Sequence, residues 1–402
     1  MEHINRQASS NYKLATIIPY NPQPVRIPSA AGLVRELWST KSHLAGVERF
    51  DESDLAQYDR DTIFYDLFLN YRNDRLVAVG PPLVNLEKIL LPMQVYISGT
   101  GYKDAGPIRY GFNRFHNTVV YAFKLPGPKP VRKPLTVKIT FANGLRTTFT
   151  AQPAHYKEKF LALTTLQKDN PVEWIRDWAN YHYCHGVDLL ILYDNGSRNF
   201  GQLQQSLAEL PDDLEIILVS WDYKYGMVRS HKNKFCRTAY FNHFHTRFGP
   251  SVWFLSLDID EYLVIRKKDT LLEDYLKGRS RLTGLIRFDS YMVPNIGNFA
   301  SDARPSVRDF AFREKAIRGR AKKYLLRQTA HKFSRSHKAR LRFPYRKTEA
   351  AANELLFFHY TRISTNWKER YYDRFKPQAF NENDHVEDRA VIDFMAANHR
   401  QE

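Results

Sequence analysis

The sequence predicts an α/β protein in which a mostly parallel sheet flanked by helices follows a smaller β-rich unit of sandwich type. Three observations predict it. The 402 residues exceed the usual size of one domain, so two are expected. Residues 61–155 carry short strand-like runs with few helical periods. After Pro153 strand and helix patterns alternate, the order that builds a parallel sheet.

Taken in order, residues 1–60 are Pro-containing and partly irregular, with a short helical stretch predicted near Ala31 to Leu44. The β-rich unit, 61–155, reads as strands at Thr62 to Leu69, Leu76 to Val79, Met93 to Ser98, Asn117 to Lys124, Leu135 to Phe141 and Arg146 to Ala151; Asn143-Gly144 is a hairpin signal before the last. The α/β unit spans 156–375 and a C-terminal tail 376–402. Within it, strands are predicted at Phe160 to Leu166, Val187 to Tyr193, Leu214 to Trp221 and Val252 to Leu257. Helices are predicted at Val172 to His185, Phe200 to Leu210 and Met227 to Phe248.

Right-handed crossovers put the carboxyl ends of such strands on one edge, where ligands bind. The residues there are Lys168-Asp169-Asn170, Asp194-Asn195-Gly196-Ser197 and Asp258 to Glu261. Asp258 and Asp260 are two apart and in extended chain point the same way. Two hard oxygen donors on one side suit Mg2+ or Mn2+ held together with substrate phosphates. Neither a dinucleotide fingerprint nor a P-loop follows the first strand, so a cation is the natural partner for phosphate.

Composition bounds the rest. With 43% hydrophobic residues the chain can bury a large core. Its two cysteines, Cys184 and Cys236, offer neither a metal spacing nor a disulfide framework. No apolar stretch reaches the length of a membrane span and the start lacks the pattern of a signal peptide, so a cytoplasmic protein is expected, peripheral on the inner face of the membrane at most. Charge is uneven. Residues 301–348 hold 16 Lys and Arg against Asp302, Asp309 and Glu314, which is 13 of the chain's net +17. A block of this kind meets nucleic acid, anionic lipid or an acidic substrate, or is simply a solvated basic surface.

Three ordered motifs carry a resemblance across roughly residues 158–372. They are Trp174-Ile175-x-x-Trp178-x-x-Tyr181-His182 with Gly186-Val187-Asp188, then Tyr193-Asp194-Asn195-Gly196-Ser197, then Trp253 to Leu263 containing Asp258-Ile259-Asp260-Glu261. This pattern resembles the family 2 and family 92 type glycosyltransferases of GT-A (Rossmann-like) fold. Lys168-Asp169-Asn170 stands where that family has Lys-Asn-Glu, and Phe357-Phe358-His359-Tyr360 resembles its C-terminal His-Tyr element, with His337 where a second histidine is often found. The resemblance implies a nucleotide-sugar donor, UDP-galactose or UDP-glucose, and an inverting transfer of hexose to a glycan or lipid-linked acceptor in surface polysaccharide synthesis. Lys168, Asp169, Asp194, Asn195 and Ser197 would bind the donor, Asp194 near the base or ribose. Asp258 and Asp260 would surround Mn2+ or Mg2+ and the diphosphate, with His359 a further metal ligand. Arg320 and Lys323, within a set that includes Arg313, Lys315, Arg318, Lys322 and Arg327, would meet the diphosphate or an acidic glycan. Asp309 and Asp289 are the candidates for the catalytic base.

Two other classes fit parts of the chain. One is a nucleic-acid-binding protein using 301–348, although the block contains no recognisable RNA- or DNA-binding motif. The other is a catalytically silent relative that binds glycan.

Overall fold

The computed structural model describes residues 15–37, 52–99, 102–105, 110–115, 117–127, 130–227, 234–249, 251–267, 270–296, 304–317, 322–335, 337–363 and 377–398. The N-terminal segment contributes β1 (Ile17–Tyr20) and β2 (Val25–Arg26). No helix forms over the described part of the stretch expected near Ala31 to Leu44, whose residues 38–44 lie outside the described ones. Gly32, at φ +62°, ends a single turn at Ser29–Ala31. Beyond it the buried Arg35 guanidinium donates to the carbonyls of Pro82, Asp59 and Thr62, holding the chain extended.

After α1 (Glu52–Ala56), the run expected as one strand at Thr62 to Leu69 is two: β3 (Thr62–Phe64), paired with β2, and β4 (Asp66–Leu69). The chain continues through β5 (Arg75–Gly80), the short α2 (Glu87–Leu90), β6 (Gln94–Gly99), β7 (Tyr102–Ala105), β8 (Tyr110–Phe115), β9 (Thr118–Lys124), β10 (Leu135–Thr140) and β11 (Arg146–Ala151). These make two antiparallel sheets, in the orders β4-β5-β9-β8 and β11-β10-β6-β7. Leu67, Leu69, Leu76, Ala78 and Tyr121 of the first share a core with Val95, Ile97, Val137 and Ile139 of the second, as in a β-sandwich.

Strands β4 and β5 of the first sheet are buried on both faces. Alternation along each strand sends Phe68, Val77 and Val79 the other way, into a second core with Ile191, Tyr240 and Phe244 of the α/β unit.

That unit comprises β12 (Lys159–Gln167), α3 (Val172–Cys184), β13 (Leu189–Asp194), α4 (Phe200–Ala208), β14 (Glu215–Ser220), α5 (Phe235–Arg247) and β15 (Ser251–Ser256). Each expected strand and helix has its counterpart, although α5 begins later than Met227 and residues 228–233 lie outside the described ones. Then come β16 (Glu261–Ile265), α6 (Leu272–Lys277), β17 (Thr283–Val293), β18 (Phe312–Glu314), β19 (Lys323–Arg327), β20 (His331–Arg335), β21 (Lys338–Leu341), β22 (Arg346–Glu349) and β23 (Leu355–Tyr360). The expected tail is partly built into the fold: β24 (His385–Glu387) pairs with β18, and α7 (Ala390–Asn398) sends Val391 and Met395 into the main core.

The large sheet is mixed. Its order is β1-β14-β13-β12-β15-β19-β17-β23-β16, with β22 beside β17. From β1 to β15 all pairings are parallel; β19 is antiparallel to both β15 and β17, and β16 is antiparallel to β23. The first strand in this order comes from the N-terminal segment, which the sequence reading left outside the sheet.

A hydrogen-bonded chain of buried side chains joins the two units. Tyr20 donates to Asp66 at 2.6 Å, His243 Nε2 lies 2.8 Å from the same carboxylate oxygen, and Tyr193 meets His243 Nδ1 at 2.6 Å. Burial raises the Asp66 pKa, but the bonds from His243, Gln23 and Tyr20 outweigh it and hold the carboxyl below its usual range.

Four further histidines, His182, His185, His245 and His331, are buried with their pKa values lowered by burial, that of His245 well below its usual value. Burial lowers the pKa of His182 to about 4, and those of His185 and His331 to about 3. Because these folded-state values lie below the unfolded one of roughly 6.5, the unfolded chain takes up protons first as pH falls. Stability is therefore complete above about pH 6.5, and each histidine removes up to about 1.4 kcal/mol per pH unit below it until its folded pKa is reached. Urea midpoints recorded between about pH 7.5 and 5 are expected to hold down to about pH 6.5 and then fall; a flat profile below about pH 6.5 would refute the buried neutral state.

Candidate functional site

Parallel pairing aligns Gln167, Asp194 and Ser220 at one level, and Thr164 with Ser256 beside them, so the strand-end loops open on one edge of the sheet. At the first of these loops Gln167 Nε2 donates to Asp194 and, at 3.0 Å, to Ser197 Oγ. Asp194 also accepts from the Ser197 backbone at 2.9 Å, and Ser197 Oγ accepts from the Asp169 backbone at 2.9 Å. Asp169, at φ +52°, accepts in turn from the Arg198 backbone. Burial raises the Asp194 pKa, opposed by its bonds from Ser197. Asn195 is turned inward, its amide donating to the carbonyls of Trp221 and Tyr223, and Lys168 is exposed at the rim. A side chain at Gly196 would collide with Asp222, whose Oδ1 would stand 2.4 Å from the added carbon. Gln167 and Asp222 are part of this loop cluster that sequence reading missed. Gln167 was legible in principle, as the last residue of a strand beside Asp194.

The second group of acids departs from the extended arrangement expected of it. β15 ends at Ser256, and residues 258–261 form a turn closed by Glu261 N–H to the Asp258 carbonyl at 3.0 Å. The two aspartates therefore diverge. Asp258, one-third exposed, lies 3.5 Å from Arg237 on α5 and 3.4 Å from Lys323 on β19. Asp260 is buried and its carboxylate is 3.3 Å from His359 Nε2. His359 sits directly across from Glu261 in the β16–β23 pairing, and Tyr360 N–H donates to the Asp260 carbonyl. Ligand atoms of Asp260, Glu261 and His359 all lie within 4.8 Å of one another, the one such set among the described residues. Glu261 was not among the expected ligands.

Lys323 holds this turn together. Its ammonium, almost fully buried, is 2.5 Å from Glu261, whose other contact is the Asp258 backbone N–H at 2.8 Å. Burial works against the Lys323 charge, but Asp258 and Glu261 outweigh it and raise its pKa. Burial raises that of Glu261, with Lys323 pulling it down.

The aromatic motif on α3 supports the same turn from the other side. β16 is an edge strand, and edge backbone needs partners. Trp178 Nε1 donates to the Glu261 carbonyl, Tyr181 donates to that of Leu263, and His182 Nε2 accepts from the Leu263 N–H.

The remaining expected residues are dispersed. Asp309 accepts from the Ser306 N–H as part of a reciprocal capping box. Asp289 is drawn to Lys322 at 3.2 Å, which also holds Glu349. Arg313 pairs with Asp388, Lys315 donates to the Glu382 carbonyl, and Arg327 stacks on Trp253. His337 is the exception: its Nδ1 lies 3.2 Å from the Lys322 carbonyl, burial lowers its pKa to about 4, and it is near enough to Lys323, Arg237 and Asp258 to feel their charges; Arg318 and Arg320 fall outside the described residues. Much of the expected basic surface is thus consumed in internal pairs.

No protein-family model matches the chain, and a search of the curated proteins finds no match either.

Replacing Lys323 by Met leaves two carboxylates facing each other without compensation and is expected to cost about 3 kcal/mol. In a double-mutant cycle read by urea unfolding, Glu261→Gln in the Lys323→Met background should cost much less than it does alone. Additive effects would show that the ammonium does not sustain the turn.

Proposed function

We propose that the chain is a metal-dependent, inverting glycosyltransferase of GT-A type that transfers a hexose from a UDP-sugar to a glycan or lipid-linked acceptor. The observation that carries this reading is the convergence of Asp260, Glu261 and His359 at the edge of the sheet where the Asp194 to Ser197 loop also opens. Five adjacent parallel strands followed by an antiparallel one support it, because ligands of such sheets bind at the carboxyl ends.

The donor set fits a divalent cation. Two carboxylates and an imidazole are compatible with Mn2+, and Mg2+ is a weaker match because it prefers oxygen alone. Asp260 and His359 would hold the ion, while Glu261 stays partly committed to Lys323. When bound, such an ion supplies charge stabilisation to a departing diphosphate without proton transfer.

The chain's own groups supply the rest. Asp258, oriented by Arg237 and Lys323, presents its exposed edge to the donor. The loop tied by Gln167, Asp194 and Ser197 receives the nucleoside, with Lys168 and Asp169 at its rim. Of the two acids considered as base, Asp309 is engaged in its cap, whereas Asp289 adjoins Phe288, the residue paired with Lys323. We assign the base to Asp289, which Lys322 approaches at 3.2 Å.

The decisive measurement is thermal unfolding with UDP and Mn2+ together and separately, since a ligand bound only to the native state raises its apparent stability. A shift is expected only with both present, and Asp260→Ala or His359→Ala should abolish it and lower transfer by roughly 100-fold or more. Full transfer in Asp260→Ala, or no response to any nucleoside diphosphate with metal, would sink the reading. Asp289→Asn should lower kcat by roughly 100-fold with the UDP–Mn2+ shift retained. Asp309→Asn should leave kcat within about twofold and cost about 1 kcal/mol of stability through its cap.

A further inference from the structure

Residues 315–348 contain no Asp or Glu. The cations at its far end stand out by their placement. β21 is short and alternates: Ala339 and Leu341 pack inward against Leu285, Tyr324 and Leu326, whereas Lys338 and Arg340 are exposed, and Arg342 continues the same face just beyond the strand. The chain then turns at Phe343-Pro344, and Arg346 and Lys347 are again exposed.

Phe343 is 98% exposed, and no other large apolar side chain among the described residues exceeds 53%. The turn that carries it is pinned. Tyr345 N–H donates to the Arg342 carbonyl at 3.0 Å, Arg342 N–H to the Ala330 carbonyl at 2.9 Å, and the Tyr345 hydroxyl to Thr329 at 2.8 Å. Gly284 lies directly beneath, where an added side-chain carbon would meet both Ala330 and Tyr345 at 2.7 Å. Arg346 N–H donates to the Leu282 carbonyl, which brings in a neighbouring turn with Arg281 exposed and Leu282 44% exposed.

We propose that this edge is a docking surface for a bilayer carrying anionic lipid, with Phe343 entering the headgroup region, Leu282 beside it, and Lys338, Arg340, Arg342, Arg346 and Arg281 meeting the lipid phosphates. Charge complementarity names the occupant: apolar tips ringed by cations are the arrangement of an interfacial anchor, and lysine and arginine gain most next to an anionic surface. Charges on β21 alone would serve to keep a strand edge from pairing with other chains. That role does not call for an apolar side chain held in full contact with water. Single-stranded nucleic acid is a poorer fit, because its bases stack on aromatic faces along a groove, and Phe343 projects alone from a turn. The Phe343 turn lies at the end of the sheet away from the carboxylates: Thr283, at the start of β17, is five residues, about 16 Å, from the Phe288–Lys323 pair, whereas Lys338, at the other end of β21, follows His337 beside Lys322. The proposal is independent of the transferase reading.

Flotation of the full-length chain with vesicles, in the absence of donor and metal, tests it. The protein should float with phosphatidylcholine vesicles containing about a third phosphatidylglycerol at low salt, and remain behind with phosphatidylcholine alone. Phe343→Ser, and separately Lys338→Glu with Arg342→Glu, should each weaken binding roughly tenfold or more while circular dichroism stays unchanged. Raising salt to about 0.5 M should remove most of the charge contribution. Absence of wild-type protein from the anionic vesicles, undiminished binding by Phe343→Ser, or tighter binding to single-stranded RNA that Phe343→Ser weakens equally would overturn the proposal.

Discussion

A buried ammonium beneath a turn of acids is the constraint on which the rest of the site depends. Asp258, Asp260 and Glu261 follow one another within four residues at the end of β15, and carboxylates that close cannot all remain ionised in a buried setting without a compensating charge. Lys323 provides it, and does so because β19 runs against its neighbours. Entering between β15 and β17 in the antiparallel sense, β19 starts at the level of the acids and so delivers its first side chain under them. The mixed character of the sheet and the chemistry of the turn are thus one feature seen at two scales.

The motif on α3 has a related role. Its tryptophan, tyrosine and histidine look like ligand-binding residues, being large, amphipathic and regularly spaced. Their polar atoms instead bond the exposed backbone of β16, so that the strand bearing Glu261 is held from its open side by side chains and from its other side by β23. Support of this kind on both flanks holds Glu261 in place beside Asp260 and His359.

Most of the α/β unit was legible because its strands are continuous apolar runs and its helices amphipathic. The loops after β12 and β13 were found for the same reason: a strand end is marked where the apolar run stops. What stayed hidden depended on distant pairing. Nothing local marks Ile17 to Tyr20 as a partner of β14, or separates Lys323, a buried counter-ion, from Lys322 next to it. The extended geometry assumed for Asp258 and Asp260 failed because a two-residue spacing has a fixed meaning only inside a strand, and the strand ends just before them. Glu261's place in the cluster with Asp260 and His359 was overlooked because it is set by the β16–β23 register, which the letters do not state.

The chain of hydroxyl, carboxylate and imidazole groups from Tyr20 through Asp66 and His243 to Tyr193 crosses the seam between sandwich and α/β layer. Neither half can be excised without stranding an ionised or hydrogen-bonding partner in oil, and the apolar face of β4 and β5 would be laid bare at the same cut. The seam thus binds the sandwich to the α/β layer through groups that each side leaves buried and partnered by the other.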